Sequence, residues 1–85
     1  MNELYTDVEI LELLGQRIKQ LRTGRKQSQQ ELADFCGVSR RTILLFEQGK
    51  GISLLSFIRI LRNFDLQQEV LSLIPSQPNI DPFDM

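Results

Sequence analysis

The chain has no histidine, and Cys36 is the one cysteine among its 85 residues. These absences exclude a histidine-based acid/base pair, a Cys–His nucleophile, the usual zinc ligand sets and an internal disulfide. Cys36 lies on the apolar side of its segment and reads as a small core residue rather than a reactive thiol. No apolar run approaches the roughly 18 residues needed to span a bilayer. The opening MNELYTDVEIL is acidic and lacks the basic stretch of a secretory signal, so a cytoplasmic location and no membrane partner are expected. No segment alternates apolar and polar residues in the way of a half-buried strand. Carboxylates such as Asp34 and Asp65 fall at caps or exposed positions and do not converge by spacing. Neither an enzyme nor a cofactor or metal site is therefore expected.

Basic charge is missing from both ends. All ten Lys and Arg residues lie between Arg17 and Arg62, a stretch that holds only three acids (Glu31, Asp34 and Glu47). Four acids precede it and four follow it, so a formal net charge of −1 conceals a basic middle. That distribution suits either a polyanion-binding surface or an ordinary solvated face.

What is present reads as helix throughout. Thr6-Asp7-Val8-Glu9 is a capping box that starts a helix over about Asp7–Arg22, with Leu11, Leu14, Ile18 and Leu21 on one face. Val8, Ile10 and Leu13 add apolar surface beyond that stripe, and Gly15 is a possible break in the segment. Thr23-Gly24 supplies a glycine stop. Ser28-Gln29-Gln30-Glu31 is a second capping box, opening a helix with Leu32, Ala33, Phe35 and Cys36 on its apolar side. Gly37 ends it, and Ser39 caps a third helix with Ile43, Leu44 and Phe46 facing inward. After Gly49-Lys50-Gly51, Ser53 caps a fourth helix, Leu54 to Asn63, built on Leu54, Phe57, Ile58 and Leu61. Asp65 is read as the cap of a fifth helix ending before Pro75, with Leu66, Val70, Leu71 and Ile74 apolar. The fold class is all-α, a compact bundle of about five helices.

Two parts are expected: a helical domain over 1–74 and an extended or disordered tail over 75–85, where three prolines in eleven residues oppose helix. Ile80, Phe83 and Met85 make the tail less polar than a plain linker. They suit docking on a partner's groove or on this chain's own surface, and a frayed terminus is the competing reading.

The stretch 28–49, SQQELADFCGVSRRTILLFEQG, is the most specific feature. A short capped helix, a glycine that permits a left-handed turn, and a second capped helix opening with Arg40 and Arg41 have the spacing of a helix-turn-helix. Ala33 is small where the two helices cross. Ile43 and Phe46 are expected to pack the second helix onto Leu32 and Cys36, leaving Ser39, Arg40, Arg41 and Gln48 on the outward face.

Residues Leu14-Gly15-Gln16-Arg17-Ile18, Leu21-Arg22, Ser28 to Ala33, Gly37-Val38-Ser39, Ile43 and Phe46-Glu47-Gln48-Gly49 together resemble the Cro/C1-type (Xre-like) family of bacterial and phage regulators, as does the helix near 54–61. The resemblance covers about residues 14–66 and implies a lambda-repressor-like DNA-binding domain. It implies that Gln29 hydrogen-bonds a backbone phosphate, assisted by the helix N-terminus. Ser39, Arg40 and Arg41 would meet bases or flanking phosphates, and Lys50 and Ser53 would hold the opposite phosphate run. Arg22 and Glu47 match a structural pair joining the first and third helices. Arg25 and Lys26 are phosphate contacts or solvated loop residues. Leu45 either touches a thymine methyl or packs.

One departure is Lys26-Gln27, where the family often has a glycine and an apolar residue. Such regulators usually act as homodimers on palindromic operators. Either the surface around Val8–Leu14 or the fifth helix would serve the dimer. Small relatives with an acidic, proline-bearing tail resemble the antitoxin partners of HipA-like kinase toxins. The expected function is a transcriptional repressor that doubles as such an antitoxin and autoregulates its operon; the alternative is a stand-alone repressor without a toxin partner.

Overall fold

The computed structural model describes residues 4–77, and its first four helices begin where the sequence places hydroxyls. Five helices follow in order: α1 (Asp7–Gly24), α2 (Gln29–Cys36), α3 (Arg40–Glu47), α4 (Leu54–Asn63) and α5 (Gln67–Leu73). No strand occurs among the described residues. Both capping boxes form. Thr6 Oγ1 accepts from the Glu9 amide at 3.2 Å while the Glu9 carboxylate accepts from the Thr6 amide at 2.9 Å. Ser28 and Glu31 repeat the exchange at 3.0 and 2.8 Å. Ser39 and Ser53 cap α3 and α4 by accepting from the Thr42 and Ser56 amides. These bonds satisfy amides that the helix itself leaves unpaired.

The first four helices also end alike. Each closes with paired bonds in which two successive amides beyond the helix reach back to its last turn, with a left-handed residue between. After α1 these are Lys26 N–H to Thr23 O and Gln27 N–H to Arg22 O; after α2, Gly37 to Asp34 and Val38 to Ala33. After α3 they are Gly49 to Phe46 and Lys50 to Leu45, and after α4, Asp65 to Arg62 and Leu66 to Leu61. The left-handed residues are Lys26 (φ 56°), Gly37 (69°), Gly49 (83°) and Asp65 (57°). Two expectations change accordingly. Asp65 does not cap α5; it terminates α4, and α5 starts at Gln67 without a side-chain cap. Gly24 is the last helical residue of α1, and the turn falls on Lys26, where the family's glycine would sit unstrained.

The core unites Ile18, Leu32, Ala33, Cys36, Ile43, Phe46, Ile60, Leu61 and Phe64, with Leu14, Val38, Ile52, Phe57, Leu66 and Val70 packed around it. α2 lies against α3 and α4, α1 against α3, and α5 against α4. Phe46 and Phe57 meet edge to face at 5.6 Å. Cys36 is buried, and desolvation raises its thiol pKa, which fits a core residue rather than a nucleophile.

The helices are rotated from the sequence reading in instructive ways. α4 buries Ile60, Leu61 and Phe64 with Phe57 alongside, whereas Leu54 is 68% exposed. The inward stripe is thus 57, 60, 61 and 64, one turn later than expected. In α1 the stripe after Ile18 is completed by Arg22, and Leu21 is exposed. Phe35, expected inside, is 79% exposed, because Leu32, Ala33 and Cys36 alone face the core. Leu44 is likewise turned outward, since Ile43, Phe46 and Glu47 take the buried positions of α3.

Gly15 does not break α1. It lets α1 meet the C-terminal end of α3, for a Cβ there would collide with the Phe46 carbonyl oxygen and lie 3.1 Å from that of Glu47. Gly15→Ala is therefore expected to destabilise by about 1–3 kcal/mol despite alanine's better helix propensity. Gly24 has nothing within 4 Å of an added Cβ, and Gly24→Ala should instead stabilise by about 0.4–1 kcal/mol. Thermal melts of the two variants check both signs.

Glu9 and Glu31 are held below the usual carboxylate range, first by hydrogen bonds from the Thr6 and Ser28 amides. Folding thus favours their ionised forms. This stabilisation is complete above the ordinary glutamate value of about 4.3 and is lost as pH falls through the lower folded values. Melting temperatures measured from pH 6 down to 2 should fall less steeply for Glu9→Gln/Glu31→Gln than for the unmodified chain.

Candidate nucleic-acid interface

The orientation of α3 is set by its buried side. Ile43 and Phe46 enter the core, and Glu47 meets Arg22 of α1 in a two-point ion pair. Arg22 Nε donates to Glu47 Oε2 at 2.7 Å and Nη2 to Oε1 at 2.9 Å. Arg22 Nη1 also donates to the Gln27 carbonyl at 2.8 Å, in the turn that leads into α2. The Glu47 hydrogen bonds, more than simple attraction, hold the Arg22 pKa above its ordinary value. Two further contacts brace the neighbourhood. Gln27 and Asn63 exchange side-chain amide bonds at 3.3 Å, and Arg59 Nη1 donates to the Gly37 carbonyl at 3.4 Å, tying α4 to the turn between α2 and α3.

Gln29, the first residue of α2, joins the buried pair. Its Nε2 donates to Glu47 Oε1 at 3.1 Å, so the carboxylate decides which end of the amide points where. An amide nitrogen carries two hydrogens, and this bond uses one of them.

With Ile43, Phe46 and Glu47 inside, the opposite side of α3 is exposed. Arg40, Arg41, Leu44 and Gln48 share one arc of its remaining surface at helical spacing, and all four are exposed. Ser39 is exposed, but its hydroxyl is engaged with Thr42, accepting from the amide and bonding Oγ1 at 2.9 Å. Lys50 is exposed and follows the left-handed Gly49. Ser53 caps α4 and donates to Ser56 Oγ at 3.0 Å. Lys50 and Ser53 thus flank the short α3–α4 loop.

Arg25 has a structural engagement. Its Nη1 donates to the Asn63 carbonyl at 2.8 Å, and its guanidinium lies 4.8 Å from the Phe64 ring centroid. It covers the C-terminal end of α4, where a cation is favoured. Lys26 is exposed. Leu45 is half-buried, whereas Leu44 is exposed, in the arc of the helix between Arg40 and Arg41. Leu44 escaped the sequence reading because leucines at both 44 and 45 leave apolar pattern alone unable to choose between them. Ile80, Phe83 and Met85 lie outside the described residues.

A short α2, a tight left-handed turn and an α3 whose exposed side starts with two arginines define a helix-turn-helix DNA-binding domain within an all-helical fold. Residues 18–72 match the family model described as helix-turn-helix, of Cro/C1 type, and the chain belongs to that family of DNA-binding transcriptional regulators. The comparison with curated proteins gives no match. Among the described residues, no helix is long and apolar enough to cross a membrane, and no cluster of metal-ligating side chains occurs.

Arg22→Met leaves the Glu47 carboxylate buried without its partner and is expected to destabilise by about 3–5 kcal/mol. Arg22→Met/Glu47→Met together should regain most of that stability in denaturant titrations, because both buried charges are gone. A double variant as unstable as Arg22→Met would show that the pair itself, rather than the orphaned carboxylate, carries the effect.

Proposed function

We propose that the protein is a sequence-specific operator-binding repressor that reads the major groove with α3. The observation that carries this reading is the outward face of α3, which offers Arg40, Arg41 and Gln48 while three buried residues lock the helix from behind. Arg40 and Arg41 are assigned to base edges or flanking phosphates; a two-point contact to guanine O6 and N7 is worth about 1–3 kcal/mol of discrimination. Ser39 sits between them and the preceding turn, where it positions the first turn of α3 and reaches the adjacent backbone. Gln29 is assigned to a phosphate on one side, Lys50 and Ser53 to the other.

A single module of this kind buries little DNA surface, so two copies on a palindrome about 34 Å apart centre to centre are part of the proposal. We place the dimer contact on α5. Leu66 and Val70 pack inward, while Leu71, Leu73 and Ile74 are exposed, so the helix is apolar on both sides. It has only seven residues and no side-chain cap, which makes it dependent on packing. Leu71→Lys/Leu73→Lys is expected to shift sedimentation toward the monomer while the cooperative melt of the α1–α4 core is retained.

A second role rests on the sequence beyond α5. We read the chain as a helical domain over 1–74 followed by a tail over 75–85. Asp81, Asp84, Ile80, Phe83 and Met85 give that tail the acidic and apolar chemistry to dock on a kinase toxin of HipA type, making the protein an antitoxin that represses its own operon. Without such a partner it is a stand-alone repressor.

Gel retardation with DNA upstream of its own gene tests the central reading. Arg40→Ala and Arg41→Ala should each weaken binding by about 10- to 100-fold, and Lys50→Ala should lower the salt dependence by about one phosphate contact. Unchanged affinity and selectivity in Arg40→Ala/Arg41→Ala would remove α3 as the reading element. Removal of residues 75–85 should leave operator binding intact, and co-purification with the product of the adjacent gene should be lost with the tail.

A further inference from the structure

We infer that Leu44 reads the 5-methyl group of a thymine in each operator half-site. The inference rests on the proposal that α3 enters the major groove. The leucine is 40% exposed, and it stands in the arc of α3 between Arg40 and Arg41, with Gln48 beside it. Its immediate neighbours in sequence do not share that position. Ile43 is fully buried, and Leu45 is half-buried.

Helical side chains lean toward the N-terminus, so a residue covers the surface over the preceding turn. Leu44 lies one turn after Arg40 and therefore places its methyl groups over the turn that holds both arginines. An apolar group there faces the base edges those arginines reach. Every hydrogen-bonding atom of a base edge that it covered would be left unpaired. The thymine methyl is the one apolar group that the major-groove edge presents. The four Cα steps from Arg40 to Leu44 span about 6 Å along the helix. That places the thymine within about two base pairs of the guanine read by an arginine.

The test uses the full chain and an operator selected from random duplexes, in which each thymine is replaced in turn by deoxyuridine. This substitution removes one methyl and leaves every hydrogen-bonding group of the base in place. One position per half-site should lose about fourfold in affinity, as expected for one buried methyl. Leu44→Ala should bind the unmodified operator about fourfold or more weakly and show no further loss at that position. Circular dichroism should be unchanged, because the side chain lies outside the core. Insensitivity at every thymine would overturn the inference, as would a uracil effect that persists in Leu44→Ala. Failure of the unmodified chain to select any operator would instead remove the DNA-reading proposal on which the inference rests.

Discussion

The carboxylate of Glu47 holds three helices at once. It belongs to the last turn of α3, takes two hydrogen bonds from Arg22 of α1, and receives a third from Gln29 at the start of α2. Burying such a pair is not in itself a source of stability, because removing two charges from water costs several kcal/mol per ion before their attraction offsets it. Its value is geometric. A planar guanidinium facing a planar carboxylate fixes distance and rotation together, which apolar contacts between Ile43 and Leu32 do not. The remaining guanidinium nitrogen holds the Gln27 carbonyl, so the entry to α2 is anchored by the same side chain. The angle between the first helix and the helix-turn-helix therefore depends on one arginine.

Around this anchor the chain uses backbone chemistry to make sharp turns. Gly15 lets α1 approach the carbonyls that end α3, and Gly49, in left-handed conformation, leaves room for Glu12 of α1 at 2.6 Å from where a Cβ would be. Both contacts lie on the N-terminal side of Arg22 along α1. Lys26 and Asp65 adopt the same left-handed geometry with side chains present, at a steric cost of about 1–2 kcal/mol each. Both lie at ends of helices whose termini are tied together. Arg25 donates to the α4 carbonyl at Asn63, and Gln27 and Asn63 exchange amides. The contacts between the α1–α2 turn and the end of α4 thus offset strain that a glycine would not incur.

Much of this was legible in the sequence, and the gaps have identifiable physical causes. The capping residues Thr6, Ser28, Ser39 and Ser53 marked helix starts correctly because a hydroxyl before an apolar-periodic segment has a local reason to be there. Helix ends were read less well, because a left-handed residue without glycine leaves no compositional mark, as Lys26 and Asp65 show. The rotation of α1 was obscured by Arg22, a buried charge at a position where apolar periodicity expects a hydrophobe. The rotation of α4 is not decided by its own sequence, because Leu54, Leu55, Phe57, Ile58, Ile60 and Leu61 give several equally apolar stripes. Only the partners, α2 and α5, select the stripe centred on Ile60 and Leu61. Phe35 shows the same limit from the other side: its hydrophobicity says nothing of which face of α2 has a neighbour.

The division of α3 explains why its general role is easier to read than its target. The residues that fix the helix in place, Ile43, Phe46 and Glu47, are spaced so that they occupy one side and leave the other without structural duty. Their spacing, with Gly37 and the capping serine before them, is what makes the family recognisable over residues 18–72. Arg40, Arg41, Leu44 and Gln48 carry no buried contact that the fold requires, so substitutions among them leave the framework unchanged. A family defined by its framework therefore reports how α3 is held and not what its exposed side contacts. The chemistry of the outward side has to supply the rest: two long cations that suit guanine, and between them an exposed leucine with no hydrogen bond to give.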